Sequence, residues 1–205
     1  MLNIYLTRHG QDESNSNGFL NGRIDTPLTN LGIRQAQNLA SKIKKLNIKF
    51  DVVYCSPLAR SLKTAQIITG ICGLKRPKQN QLLIERDFGF MSGKKVDDIS
   101  RLCSPHILKT KTCTYFLNAP GSESFPELIL RARKFLDYIE KKHISGDILL
   151  VTHGDIGKML FASYYHVYWK KALELFHFGN TELILLSNKL SGVWSKIIKA
   201  RQYNL

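Results

Sequence analysis

The sequence predicts an α/β fold: a three-layer sandwich on a doubly wound, mostly parallel sheet, with helices on both faces and a small lid insertion. Three observations carry this. Apolar runs at Leu2 to Leu6, Phe50 to Cys55 and Ile148 to Val151 have the length and composition of buried strands. Helical segments are interleaved with them, and such alternation implies parallel pairing through crossover helices. At 205 residues and 43% hydrophobic residues, the chain can bury a substantial core as one domain.

A polar, glycine-bearing loop runs from Gln11 to Pro27 after the first strand. Thr29 caps a helix from Asn30 to about Leu46, with Ala36, Leu39, Ile43 and Leu46 on one face. The second strand, Phe50 to Cys55, meets Ser56-Pro57 at once, a pair expected to act as N-cap and N1 proline of a helix to about Thr69. Lys75 to Gln81 reads as a polar connection and Leu82 to Ile84 as a short strand. Gly89, Gly93, Pro105, Pro120 and Gly121 break the pattern between Glu85 and Gly121. Residues of about 86–120 are therefore expected to form the lid, with short helices near Val96–Leu102 and Ile107–Phe116.

Ser124 to Lys142 is amphipathic, with Phe125, Leu128, Ile129, Ala132, Leu136 and Ile139 on one face. Asp147 to Thr152 is a third strand, followed by a helix from Asp155 to about His166. Thr181–Ser187 and Val193–Ile198 read as two closing strands around Asn188–Gly192. No repeat, low-complexity tract or linker divides the chain, so residues 1–205 are read as a single domain.

Composition narrows the function classes. No apolar run approaches the roughly 18 residues of a membrane helix, and the N-terminus lacks the order of a signal peptide. A cytoplasmic protein without membrane association is expected. Cys55, Cys72, Cys103 and Cys113 are spaced by 17, 31 and 10 residues, without the paired spacing of a zinc or redox motif. The net charge is +14, but the lysines are spread over most elements rather than gathered in one stripe. That distribution favours steering of a small anion over nucleic-acid binding. Phe161, Tyr164, Tyr165, Tyr168 and Trp169 form an aromatic group read as packing, with base stacking or a homodimer seal as the alternatives.

Three predicted strands end alike. The first runs into Arg8-His9-Gly10 and the third into His153-Gly154; the second places Arg60 at the start of the next helix. In a parallel sheet these ends share one edge, where ligands of open α/β sheets bind. Two guanidiniums beside a helix N-terminus suit a compact dianion such as phosphate. A neutral imidazole among them is a candidate phosphoryl acceptor, because neighbouring positive charge keeps its lone pair free. The second imidazole is placed to stabilise the equatorial oxygens of the transferring group. A proton donor for the leaving oxygen is also needed. Glu85, after the short strand, is the best-placed carboxylate, ahead of Asp87 and Asp155. A metal site would instead group carboxylates or thiolates with the histidines.

These residues carry a resemblance that covers nearly the whole chain. Arg8-His9-Gly10, Asn15, Asn21-Gly22-Arg23 and Asp25-Thr26-Pro27-Leu28-Thr29 stand in order, followed by Ser56-Pro57-Leu58-Ala59-Arg60. Glu85 with Phe88-Gly89, Gly121-Ser122-Glu123-Ser124 and Val151-Thr152-His153-Gly154 complete the series. The chain resembles the histidine phosphatase superfamily, the phosphoglycerate-mutase-like group. The resemblance implies His9 as the nucleophile forming a phosphohistidine, and Arg8, Arg60 and His153 as holders of the phosphoryl group. It implies Glu85 as proton donor and then base toward water, with phosphate contacts from Asn15, Asn21, Gly22 and Gly154. No metal or other cofactor is implied, and the expected partner is a small phosphorylated substrate. Gln11 departs from the glutamate many members carry, Ser92 from another glutamate, and Lys158 stands where an arginine is common.

Mutases of the group carry a longer insertion with an adjacent arginine pair. Here Glu85 and His153 are 68 positions apart and no arginine lies between Arg101 and Arg131. A phosphatase is therefore expected, with a phosphoglycerate mutase or a non-catalytic phosphate-binding relative as the alternatives. The lysines Lys94, Lys95, Lys109 and Lys111 are candidate contacts for a second anionic group, or solvated.

Overall fold

The N-terminal apolar run becomes β1 (Leu2–Arg8), an interior strand of a six-stranded sheet in the computed structural model. The structure describes residues 1–186 and the backbone of a last strand at 196–198. On one side β1 pairs in parallel with β6 (Gly146–Thr152), which pairs in parallel with β2 (Val52–Cys55). The two-residue β3 (Lys78–Gln79) closes that edge, parallel to β2. On the other side β7 (Leu183–Leu186) is antiparallel to β1, and β8 (Lys196–Ile198) is antiparallel to β7. The sheet is thus mostly parallel, as the alternation of elements predicts. The expected turn at 188–192 and the start of the last strand lie outside the described residues.

Side chains alternate along each strand, so one strand feeds two cores. Ile4 and Leu6 of β1 join Ile148 and Leu150 of β6 on one face. That face is covered by α5 (Phe125–Lys142), α6 (Gly154–Tyr164) and α7 (Trp169–Leu175). Tyr5, Leu149 and Val151 point the other way, against α2 (Asn30–Lys45) and α3 (Ala59–Cys72). Phe135, Leu136 and Ile139 of α5 are fully buried, and each such side chain contributes about 1.5–3 kcal/mol. The aromatic group is largely accounted for by packing: Trp169 stacks on buried Phe125 at 5.3 Å, and Phe161 is buried.

Helix entry follows local chemistry. The Thr29 hydroxyl accepts from Gly32 N–H at the head of α2. At α5, Ser124 and Glu127 form a reciprocal capping box. Ser124→Ala is expected to lower stability by about 1 kcal/mol. An unchanged denaturation midpoint would remove that role.

Several expectations are corrected. Ser56-Pro57 does not cap a helix: Ser56 continues the β2 ladder by donating its N–H to the Val151 carbonyl, and α3 begins at Ala59. Leu82–Ile84 is not a strand. The Asn80 side chain accepts from Leu82 N–H and winds Gln81–Leu83 into a 3-10 turn that buries Leu83, while the strand lies earlier, in the polar stretch. Ile107–Phe116 is not helical. It forms a hairpin of β4 (Ile107–Lys109) and β5 (Thr114–Phe116), whose turn is tied by the Thr110 hydroxyl to the Cys113 backbone. Thr, Tyr and Phe favour strands. The helix near 96–102 exists as a 3-10 turn at Val96–Asp98 continued by α4 (Ile99–Cys103). The segment after Glu85 gathers its own cluster around Phe88, Met91, Ile99, Cys103 and Phe116. α1 (Glu13–Ser16) and α7 arise where the sequence reading has no separate helix.

Among the described residues, no helix is long and apolar enough to cross a membrane. Cys55, Cys72, Cys103 and Cys113 are all free thiols.

Candidate active site

Adjacent parallel strands deliver the site. β2, β6 and β1 lie side by side and point the same way, so the residues after Cys55, Thr152 and Arg8 meet at one sheet edge. His9 extends the β1 ladder by donating its N–H to the Thr152 carbonyl at 3.0 Å. Its ring lies 5.0 Å from that of His153, centroid to centroid. Arg60 comes from the first turn of α3 and is fully buried.

The His9 ring is held in one orientation. Its Nδ1 lies 2.7 Å from the Gly10 carbonyl, an acceptor only, so Nδ1 carries the proton and donates it. Nε2 then keeps its lone pair. Burial first, then the charges of Arg60 and Arg8, hold His9 well below the ordinary histidine range, so the ring is neutral. Gly10 serves this corner by close packing: a Cβ there would collide with the Gly32 carbonyl oxygen at the start of α2.

The cations around His9 are held by part of their donors only. Arg8 donates from Nη1 to the Phe178 carbonyl and from Nη2 to Asn15 Oδ1. Arg60 donates from Nη2 to the Gly22 carbonyl at 2.7 Å and from Nη1 to the Ile24 carbonyl at 2.8 Å. Among the described residues, four buried side-chain nitrogens or oxygens have no hydrogen-bond partner. They are Arg8 Nε, Arg60 Nε, His153 Nδ1 and His153 Nε2. Buried polar atoms without a hydrogen bond are costly; all four belong to one cluster, and of them Arg60 Nε has a carboxylate nearby, Asp12 at 3.5 Å. An anion bound against His9 would satisfy donors that the protein leaves open.

Glu85 enters from the other side. Its Oε1 accepts from the N–H groups of Arg86 and Ile156, and its Oε2 from Asp155 N–H at 3.2 Å. The carboxyl group thus sits on the N-terminus of α6. Burial, then repulsion from Asp155, raises its pKa, while the backbone N–H groups of Arg86 and Ile156 pull it back. Arg23 and Arg131 clamp its main chain, both donating to the Glu85 carbonyl and both pairing with Glu123.

Of the other candidate residues, Asn15 meets Arg8 as described, and Asn21 donates to Asp12 Oδ2 at 3.0 Å. Gly22 reaches the cluster through its carbonyl, which holds Arg60. Gly154, the first residue of α6, lies against Arg8 and Glu85. Arg8, His9, Asn15, Asn21, Glu85 and Gly154 line one cavity of about 330 Å³, and the segment after Glu85 supplies part of its wall through Phe88, Val96 and Tyr115. Lys94, Lys95, Lys109 and Lys111 do not line it.

Sequence reading misses the hub of the cluster. Asp12 is fully buried, caps α1 by accepting from Asn15 N–H, and faces Arg60 Nε at 3.5 Å and His9 Nδ1 at 3.7 Å. An N-cap signature at Asp12-Glu13-Ser14-Asn15 was its one sequence signal. Arg86 is missed as well: it is buried, bonded to Asp155 at 2.7 Å and packed over Phe116 and Phe125. Among the described residues, no group of three or more His, Cys, Asp or Glu side chains is arranged to hold a metal ion.

Residues 4–196 match the family model described as histidine phosphatase superfamily (branch 1). The chain is 31% identical over 156 residues to a 2,3-bisphosphoglycerate-dependent phosphoglycerate mutase of Mesorhizobium japonicum, covering 74% of this chain and 76% of that one. It is 34% identical over 154 residues to a provisionally named phosphoserine phosphatase 2 of Hydrogenobacter thermophilus, covering 75% and 74%. Among solved structures, the phosphoserine phosphatase of Entamoeba histolytica in complex with 3-phosphoglyceric acid superposes with a TM-score of 0.75. That match is 25% identical and covers 100% of this chain and 98% of the other.

Proposed function

The chain belongs to the histidine phosphatase superfamily, and from that premise we propose that it is a metal-independent phosphatase of small phosphomonoesters working through a phosphohistidine on His9. The observation that carries the reading is the fixed imidazole: Nδ1–H is spent on the Gly10 carbonyl, and Nε2 is free in a cluster that holds four buried nitrogens without a hydrogen bond. In the first step the Nε2 lone pair attacks phosphorus and the bond from phosphorus to the ester oxygen breaks. Glu85 gives its proton to the departing alkoxide, which leaves as the alcohol. In the second step Glu85, now a carboxylate, takes a proton from water as the water oxygen attacks phosphorus. The N–P bond breaks, inorganic phosphate forms and His9 returns to its starting state. Arg8, Arg60 and His153 hold the three non-bridging oxygens through both steps, where charge develops. A dianion against His153 favours its protonated form, which adds a charged donor.

Hydrolysis is favoured over transfer to a second hydroxyl by the segment after Glu85. Its arginines are Arg86, committed to Asp155, and Arg101, which pairs with Asp98 at the surface. Neither forms an adjacent pair facing the cavity. Release of inorganic phosphate from a panel of phosphometabolites is expected without 2,3-bisphosphoglycerate. Activity that appears only with that compound, as interconversion of phosphoglycerates, would replace this reading with a mutase. A cytoplasmic setting and the lid role of residues 86–120 belong to the same proposal.

A further inference from the structure

One cation of the cavity wall has no role in the chemistry above. Lys158 stands on α6, one turn past Asp155, and is 2% exposed. Its ammonium donates to the Tyr115 hydroxyl at 2.7 Å and to the Leu173 carbonyl at 3.0 Å. An ammonium has three donors, so one is uncommitted. It forms an ion pair with no carboxylate among the described residues: burial lowers the pKa of its ammonium, and Cys113, Asp155 and Glu182 oppose that only from longer range. A buried cation without a counter-ion is costly unless something else supplies one. The rings of Tyr115 and Phe176 lie 5.2 and 5.4 Å from the ammonium, and low polarity there strengthens any charge contact.

Lys158 lines the same cavity as His9 and Glu85. Arg86, also in the wall, is already neutralised by Asp155 and bonded to the carbonyls of Glu123 and Phe116. The lysines of the segment after Glu85 do not line the cavity. A compact substrate whose phosphoryl group lies against His9 therefore has a second anion site waiting at Lys158.

We propose that Lys158 is the specificity residue of this site, receiving the carboxylate of a small phosphorylated carboxylic acid. The assignment rests on the phosphatase reading and narrows its substrate class. Phosphorylated amino and hydroxy acids fit it; phosphorylated alcohols and amines leave the ammonium unpaired. A site built around a charged group discriminates strongly against the analogue lacking it.

The test uses O-phosphoserine and phosphoethanolamine, which differ by the carboxylate alone. In the wild-type protein, kcat/KM for phosphoserine is expected to exceed that for phosphoethanolamine by about tenfold or more. Lys158→Met is expected to bring that ratio down about tenfold, to near one, chiefly through KM, and Lys158→Arg to restore most of it. Should Lys158→Met fail to fold, Tyr115→Phe, which removes the hydroxyl that fixes the position of the ammonium, is expected to lower the same ratio. A wild-type ratio near one, or a ratio unmoved by these variants, overturns the assignment and leaves the phosphatase intact. Turnover of neither compound, nor of any other phosphomonoester, overturns the phosphatase reading and this one with it.

Discussion

Replacing His9 by alanine is expected to lower kcat by on the order of 10³- to 10⁶-fold, the scale on which enzymes lose a covalent nucleophile. The arginines that flank the imidazole stay in place in this variant. Arg8 and Arg60 are anchored through the carbonyls of Phe178, Gly22 and Ile24, none of which depends on the imidazole. Inorganic phosphate or vanadate should therefore still bind, and the loss should fall on kcat rather than on KM. The wild-type enzyme mixed with labelled substrate and quenched in base should carry an acid-labile, base-stable phosphoryl group that His9→Ala lacks. A His9→Ala protein that hydrolyses p-nitrophenyl phosphate at the wild-type rate would sink the phosphohistidine mechanism. Circular dichroism of the variant separates loss of chemistry from loss of fold.

Why His9, Arg60 and His153 were legible in sequence while Asp12 and Arg131 were not is a matter of range. Each of the first three follows a strand or opens a helix, and parallel pairing brings those positions together without knowledge of any side-chain contact. Asp12 does its work by facing groups from three separate places, His9, Asn21 and Arg60, and nothing in a polar loop marks a carboxylate as buried. Arg131 looks in sequence like any solvated arginine of an amphipathic helix. Besides nearby Glu123, it holds the Leu82, Ile84 and Glu85 carbonyls, which lie 46 to 49 positions away. The misread elements share a different cause. Leu82–Ile84 is too short for a period to decide its state, and Asn80 tips it into a turn. Ile107–Phe116 sits where strand propensity and a tied turn outweigh an apolar spacing that suits a helix equally well. The lysines of that segment are numerous but lie off the cavity, whereas the lysine that lines it, Lys158, stands on α6.

The second large effect is expected at Glu85→Gln, where kcat for alkyl phosphates should fall by about 10²- to 10⁴-fold, the usual worth of a positioned general acid and base. Glutamine keeps the size of the side chain and an oxygen for the Arg86 and Ile156 N–H groups, yet has no proton to give. Its effect should depend on the leaving group. Nitrophenolate departs without a proton, so p-nitrophenyl phosphate should lose less in the first step than an alkyl ester does. The pH dependence has a definite sign. Burial and Asp155 raise the pKa of Glu85, so the protonated acid persists above the ordinary glutamate range, and a bound phosphoryl dianion raises it further. As pH rises through that value the acid is lost and kcat for alkyl esters declines. His9 limits the acid side instead, but only well below the ordinary histidine range, because burial and the two arginines disfavour its protonation. In Glu85→Gln the alkaline decline should vanish while the acid limb stays in place. If the alkaline decline persists unchanged in that variant, the proton comes from another group, and Asp155, which faces the same cavity at the head of α6, becomes the residue to replace.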